Sequence, residues 1–336
     1  MLNREPYRRL FTGDNPNNDV PGNDESQNLA DNFQFDDADI IIRAGGVDFQ
    51  AHKFILSHVS PIFKDMFSLP GNQTSQKGVP IIELVESAQV IHDLLSMLYH
   101  SVNDPDFNNL NDIHRLLLAL RKYDVEKICM RVAKQLEAKA AESPGRVFYI
   151  AMSSGLVDDV ARTAAWHMLS QNIFDLATTH VPEYNQFHVG TFQQLLRYHV
   201  KCGDVAKEQC SNLRPQGLDW IWLQCRTSDC KGSFSDRFPD TSDDRLLSSR
   251  NQHPSVKRWW LDYISALGER LKVQPLGIDY SDEGFLKKYA DGASKCSICG
   301  PPAMYQLTKF NEGFEKQVRA AIENVPLELD EDDFLL

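Results

Sequence analysis

The sequence predicts an α+β domain of short strands and helices, followed by a mainly helical region, and three observations predict it. Between residues 39 and 57 the apolar pattern changes from β-branched alternation to helical spacing, after a Gly-Gly turn. A third β-branched run, Val79–Val85, stands between two helical segments. After Ser143-Pro144-Gly145 the periodic segments all read as helices.

The elements follow in order. Residues 1–32 are dominated by Asn, Asp, Gly and Pro and read as a disordered leader. Asp39-Ile40-Ile41-Ile42-Arg43 reads as a buried strand ending at Ala44-Gly45-Gly46, and Val47-Asp48-Phe49-Gln50-Ala51 alternates as a half-buried partner. The two form a hairpin over the Gly-Gly turn. Helical spacing then covers His52–Ser57 and Ser60–Phe67, where Ser60 suits an N-cap and Pro61 the first helical position. A polar loop, Leu69–Gly78, precedes the third strand. Ser87 is placed to cap a helix through His100, with Val90, Ile91, Leu94, Leu95 and Leu98 on one face. Amphipathic helices are expected over Asn111–Leu120 and Val125–Ala141, then Arg146–Ser153, Val157–Asn172, Thr191–His199, Pro254–Lys272 and Ala303–Asn324. Residues 173–253 carry four cysteines in a stretch that reads, past Thr191–His199, as loop-rich. The domain division is therefore a leader 1–32, an α+β domain 33–141, a mainly helical domain 142–324 and an acidic tail 325–336.

Composition narrows the function. At 336 residues, 42% hydrophobic and 24% charged, the chain has the composition of an ordinary globular protein with material for two domains. Its formal net charge of -12 and the lack of any Lys/Arg-dense stretch disfavour nucleic-acid binding. No apolar run is long enough to cross a membrane and no secretory signal is seen at the N-terminus. An odd number of cysteines, seven, fits a reduced cytoplasmic or nuclear setting.

The run Ala38–Arg43, then Val47–Ser57 with Phe49-Gln50-Ala51-His52-Lys53 at its centre, then Ser60-Pro61-Ile62-Phe63, resembles the opening of the BTB/POZ family. That family shows an Asp before a short apolar strand, an aromatic-x-Ala-His-Lys/Arg hinge and a Ser-x-x-Phe helix, in this spacing. The resemblance implies a short three-stranded sheet capped by helices and a role in protein–protein interaction, by homo- or hetero-assembly, rather than catalysis. It also places Asp39 and Lys53 where the family has a charged pair lining a groove at the dimer surface; the plainer reading of each, and the one single charges usually carry, is solvated surface. More weakly, Arg197-Tyr198-His199-Val200-Lys201-Cys202-Gly203, Trp220–Cys225, Trp259-Trp260-Leu261-Asp262-Tyr263 and a late Cys-x-x-Cys resemble the C-terminal part of BTB proteins of the fungal type.

Two roles common in the family are alternatives: substrate adaptor of a cullin-type ubiquitin ligase, and transcriptional co-regulator. Against the first, Met66-Phe67-Ser68-Leu69-Pro70 lacks the hydrophobic-x-Glu motif, and against the second no array of zinc fingers follows. Phe33-Gln34-Phe35 is short for the extra strand that some members exchange between subunits, so a monomer and a weak dimer both fit.

The sharpest chemical feature is Cys296-Ser297-Ile298-Cys299-Gly300, a knuckle that can present two thiolates to one Zn²⁺. Cys225 and Cys230 form a second pair at permitted spacing. Together the four would make a closed structural zinc site joining two distant segments. The 65 residues between Cys230 and Cys296 weigh against it, and Cys202, Cys210, His199 and His253 are competing ligands. Buried reduced thiols and a redox pair are the other readings. Trp259 and Trp260 read as packing residues.

Overall fold

In the computed structural model of the chain, residues 29–69, 74, 75, 78–99, 105, 107, 109–179, 189–211, 220–225, 227, 230 and 256–329 are described. The leader up to residue 28, the tail from residue 330, His180, His188, His253 and parts of the two expected loops lie outside them. The chain divides into two units, Met1–Val132 and Ala133–Leu336.

In the first unit, β1 (Ile40–Ala44) and β2 (Val47–Ala51) pair antiparallel, with Ile42 opposite Phe49 and Ala44 opposite Val47. Gly45 and Gly46 both have positive φ, 55° and 81°, as a type I′ hairpin turn demands. Each strand buries alternate residues: Ile40, Ile42 and Ala44 from β1, and Val47, Phe49 and Ala51 from β2. On the opposite face the Arg43 guanidinium donates two bonds to Asp48, at 2.6 and 2.8 Å. β3 (Ile81–Leu84) lies parallel to β1 on its other edge, giving the order β2-β1-β3.

A parallel neighbour requires a crossover, and α1 (Lys53–Val59) and α2 (Pro61–Ser68) provide it. Ser60 separates them. Its buried hydroxyl accepts from the Phe63 amide at 3.0 Å and donates to the Tyr123 carbonyl, so one side chain starts α2 and ties it to the end of α4 (Leu110–Lys122). A cap of this kind contributes about 1 kcal/mol. Between β3 and α4 runs α3 (Ala88–Leu98), whose cap Ser87 accepts from Val90 N at 3.4 Å. α5 (Glu126–Glu137) follows α4. Phe33, Leu56, Phe63, Ile91, Leu94 and Leu117 are almost fully buried among these elements. Phe33 closes a three-residue 3₁₀ turn, Asp31–Phe33, rather than a strand.

The second unit is helical: α6 (Pro144–Ser153), α7 (Arg162–Met168), α8 (Ile173–Thr178), α9 (Val189–Gln209), α10 (Arg258–Val273), α11 (Glu283–Ala293) and α12 (Gly300–Glu323). Four expectations need correction. Pro144 starts α6 two residues ahead of the expected Arg146, because a proline in the first turn lacks only an amide that would have no partner. The expected single helix Val157–Asn172 is a π turn, Val157–Ala161, leading into the shorter α7. α9 runs ten residues beyond His199, so Cys202 and Cys210 belong to a helix and its end, not to a loop. α11 was not anticipated; Asp282 caps it, its carboxylate accepting from Phe285 N at 3.0 Å.

α9 packs against both α10 and α12, and α11 packs against α10 and α12. The α9–α10 approach is close at Gly203, where an added Cβ would lie 2.2 Å from the Lys272 carbonyl oxygen. A buried polar link joins the layers: the Tyr263 hydroxyl donates to Asn311 Oδ1, and Asn311 Nδ2 donates to the Tyr280 carbonyl at 2.7 Å. This unit therefore has an apolar core of its own, built on Leu195, Tyr263, Leu267, Leu307 and Phe314.

Candidate functional site

The four cysteines read as two knuckles, Cys225, Cys230, Cys296 and Cys299, come together. Their sulfurs all lie within 4.8 Å of one another and all four side chains are buried. Two of the separations cross between knuckles at 3.6 Å each: Cys225 to Cys296 and Cys230 to Cys299. A tetrahedral zinc with Zn–S bonds of about 2.3 Å sets its sulfurs roughly 3.8 Å apart. The spacing thus suits four thiolates around one ion and is far longer than the ~2.05 Å of a disulfide; the cysteines are free. Soft sulfur donors, four in number and shielded from water, are the ligand set of a closed structural zinc site.

Helices supply the precision. Cys299 is the N-cap residue of α12, whose first turn carries Pro301 and Pro302, and Gly300 N donates to the Cys296 carbonyl at 2.9 Å. The amide of Cys299 also points at Cys296 Sγ, 3.5 Å away. The partial positive charge of the helix start favours thiolates here. The other knuckle hangs from a single helical turn, Ile221–Gln224. Ile221 N donates to Gln306 Oε1 of α12 at 2.7 Å, and Lys257 N donates to the Trp222 carbonyl at 3.1 Å. Trp222 then stacks on Trp260 at 3.9 Å with planes 4° apart, and on Trp220 at 4.8 Å, while Phe310 stands edge-on to all three. Aromatic contacts and thiols thus fix one short segment between α10 and α12. Trp259 and Trp260 are both buried, as packing residues are.

Electrostatics within the cluster are uneven. Thr227, which the sequence did not single out, places its hydroxyl oxygen 3.2 Å from both Cys225 and Cys296 sulfurs. That hydroxyl, with the Cys299 amide, lowers the Cys296 thiol to about 6. Burial raises Cys225, but hydrogen bonds from the Thr227 hydroxyl and amide outweigh it and leave the thiol lowered. Burial pushes Cys230 up to about 11, and burial with neighbouring sulfur raises Cys299. No sequence signal marks Thr227; its contacts with two sulfurs come from the fold.

Among the described residues, the competing ligands His199, Cys202 and Cys210 lie outside this cluster. His199 is buried with Nε2 against the Gln171 carbonyl at 3.0 Å, and burial lowers its pKa. Cys202 and Cys210 sit along α9 and at its end, their thiols pushed up to about 12 by burial. Neither belongs to the four-sulfur group.

In the first unit, Asp39 and Lys53 do meet, through the main chain: Lys53 N donates to Asp39 Oδ1 at 2.7 Å. The carboxylate thus takes up an amide at the start of α1, where the N-cap position is held by His52 with no capping side-chain bond of its own. His52 is anchored between Tyr99, whose oxygen is 3.1 Å from Nδ1 and accepts from the His52 amide at 2.9 Å, and Asp37, 3.2 Å from Nε2. Beyond this hinge, Phe54 on α1 is 80% exposed, with His58 stacked beside it, and Ile62 on α2 is 39% exposed.

Comparison with protein-family models matches residues 29–140 to the BTB/POZ domain. A BTB/POZ domain, a module of protein–protein interaction and assembly, is present there, and its three-stranded sheet with flanking helices is the fold described above. The search of curated proteins found no match. No helix among the described residues is long and apolar enough to cross a membrane.

Proposed function

We propose that the BTB/POZ domain at residues 29–140 makes this chain a protein-assembly component, and that its helical C-terminal unit is clamped by one structural Zn²⁺. The observation that carries the first part is the domain itself, with its exposed apolar surface on the crossover helices. Phe54 is a large aromatic side chain almost wholly in water, and such residues anchor interfaces. Asp39 and Lys53 lie at the same helix start and form the polar edge of this surface. The second part rests on the four buried sulfurs. Zinc here stabilises; a closed four-thiolate shell leaves no position for substrate, so the reading is one of assembly rather than catalysis. Seven free thiols suit a reducing cytoplasmic or nuclear setting. The Arg197–Gly203 and Trp259–Tyr263 motifs support reading the C-terminal unit as that of a BTB protein of the fungal type.

Burying one Phe side chain contributes about 1.5–3 kcal/mol. Phe54→Glu is therefore expected to weaken self-association of the full chain by on the order of 10–100-fold, leaving the monomer folded. Sedimentation velocity over a concentration series measures this. A chain that associates equally well with and without the substitution removes this surface from the account.

A further inference from the structure

The four sulfurs are not equivalent, and the difference assigns a role to a residue outside the ligand set. Thr227 lies between the two cysteines of the first knuckle, yet its hydroxyl also reaches across to the second. Its oxygen is 3.2 Å from Cys225 Sγ and 3.2 Å from Cys296 Sγ. Cys296 has in addition the amide of Cys299. Among the described residues, the hydrogen-bonding contacts of the Cys230 and Cys299 sulfurs are with the other cysteines alone. Exposure follows the same division at one corner: Cys230 is 9% exposed, against 3% for Cys225, 1% for Cys296 and 0% for Cys299.

Four thiolates on a divalent ion carry a net charge of -2 in a site with little water. Hydrogen bonds to coordinated sulfur disperse that charge and hold the ligand in place, and outer-shell partners of this kind govern metal retention. A sulfur that is less shielded and less hydrogen-bonded keeps more charge and stays the better nucleophile. Resting on the metal reading above, we propose that Thr227 is a positioning residue for the site. Its single hydroxyl hydrogen is shared between Cys225 and Cys296, and metal exchange begins at the opposite corner, Cys230. In that step the metal–Cys230 bond breaks and a donor atom of the incoming chelator takes the vacated position. The Cys225–Cys296 side, locked by Thr227 across the two knuckles, leaves last.

The test uses the full chain purified with zinc, its metal content measured first. Limiting N-ethylmaleimide followed by peptide mapping ranks the four thiols, and a chelating dye reports the rate of zinc release. Cys230 is expected to label first of the four. Thr227→Val is expected to speed release about tenfold and to bring Cys225 and Cys296 labelling forward, while Thr227→Ser, which keeps the hydroxyl, behaves as the unsubstituted chain. Release from Thr227→Val at the unsubstituted rate, or Cys296 labelling ahead of Cys230, overturns the proposal while the zinc site stands. A chain that holds no zinc at the outset overturns the metal reading and this one with it. Should Thr227→Val fail to fold, the labelling order of the unsubstituted chain decides.

Discussion

Stripping zinc from the full chain is expected to lower the unfolding temperature of the C-terminal unit by roughly 8–16 °C and to change its tryptophan fluorescence. The first figure follows from mass action: a ligand present at a thousand times its dissociation constant stabilises by about 4 kcal/mol. For a unit of this size each kcal/mol is worth about 2–4 °C. The second follows from the chain path. Cys225 ends the helical turn that carries Trp222, and Trp222 is the middle ring of the Trp220–Trp222–Trp260 stack. Without the metal, the turn keeps its backbone anchors to Gln306 and Lys257 and the stack, but loses the tie through Cys225 to the second knuckle. Calorimetry and emission spectra with and without a strong chelator measure both effects. Identical melting curves would mean that the thiols are packing residues only.

Gly203→Ala is expected to destabilise the same unit by roughly 1–2 kcal/mol. Replacing an interior helical glycine by alanine ordinarily gains about 1 kcal/mol. Here the new methyl would lie 2.2 Å from the Lys272 carbonyl oxygen and 3.0 Å from its carbon, and both atoms are backbone in α10. No side chain can swing aside, so α9 and α10 must separate along a packed interface, with a cost of overpacking that exceeds the propensity gain. Gly313 on α12 supplies the contrast: an added Cβ meets nothing within 4 Å. Gly313→Ala is expected to stabilise by about 1 kcal/mol. Urea unfolding of the two variants should give opposite signs; equal signs would show that the α9–α10 contact is looser than described.

Those two glycines also show why the two halves of the chain differ in legibility. In the BTB/POZ domain the determinants are local. Gly45-Gly46 can only be a tight turn, Ser60-Pro61 announces a helix start, and the alternation in Ile40–Ala44 and Val47–Ala51 assigns faces without reference to anything distant. In the second unit α10 and α12 are legible from their periodicity, but elsewhere local signals oppose the outcome. Gly203 lies beyond the expected helix end at His199, yet α9 runs through it, and Lys272, 69 residues on, passes against it. Gly284 and Gly292 mask α11 in the same way.

The four-cysteine cluster is half legible in the sequence. Cys296 and Cys299 have the spacing of a knuckle, and Cys225 with Cys230 were named as its partners. What the spacing could not convey is how 65 intervening residues return to the start. α10 and α11 do this: Lys257, at the head of α10, bonds the Trp222 carbonyl, and the chain beyond α11 reaches Cys296 within three residues of its end. Thr227 was invisible for the same reason. Its value lies in a sulfur 69 positions away.

Native mass spectrometry of the full chain, expressed with zinc available, tests the central claim most directly because it weighs bound metal and assembly together. The account predicts one zinc per chain, lost on Cys296→Ser, in an assembly that Phe54→Glu dissociates. A folded, metal-free monomer, unchanged by either substitution, would contradict it.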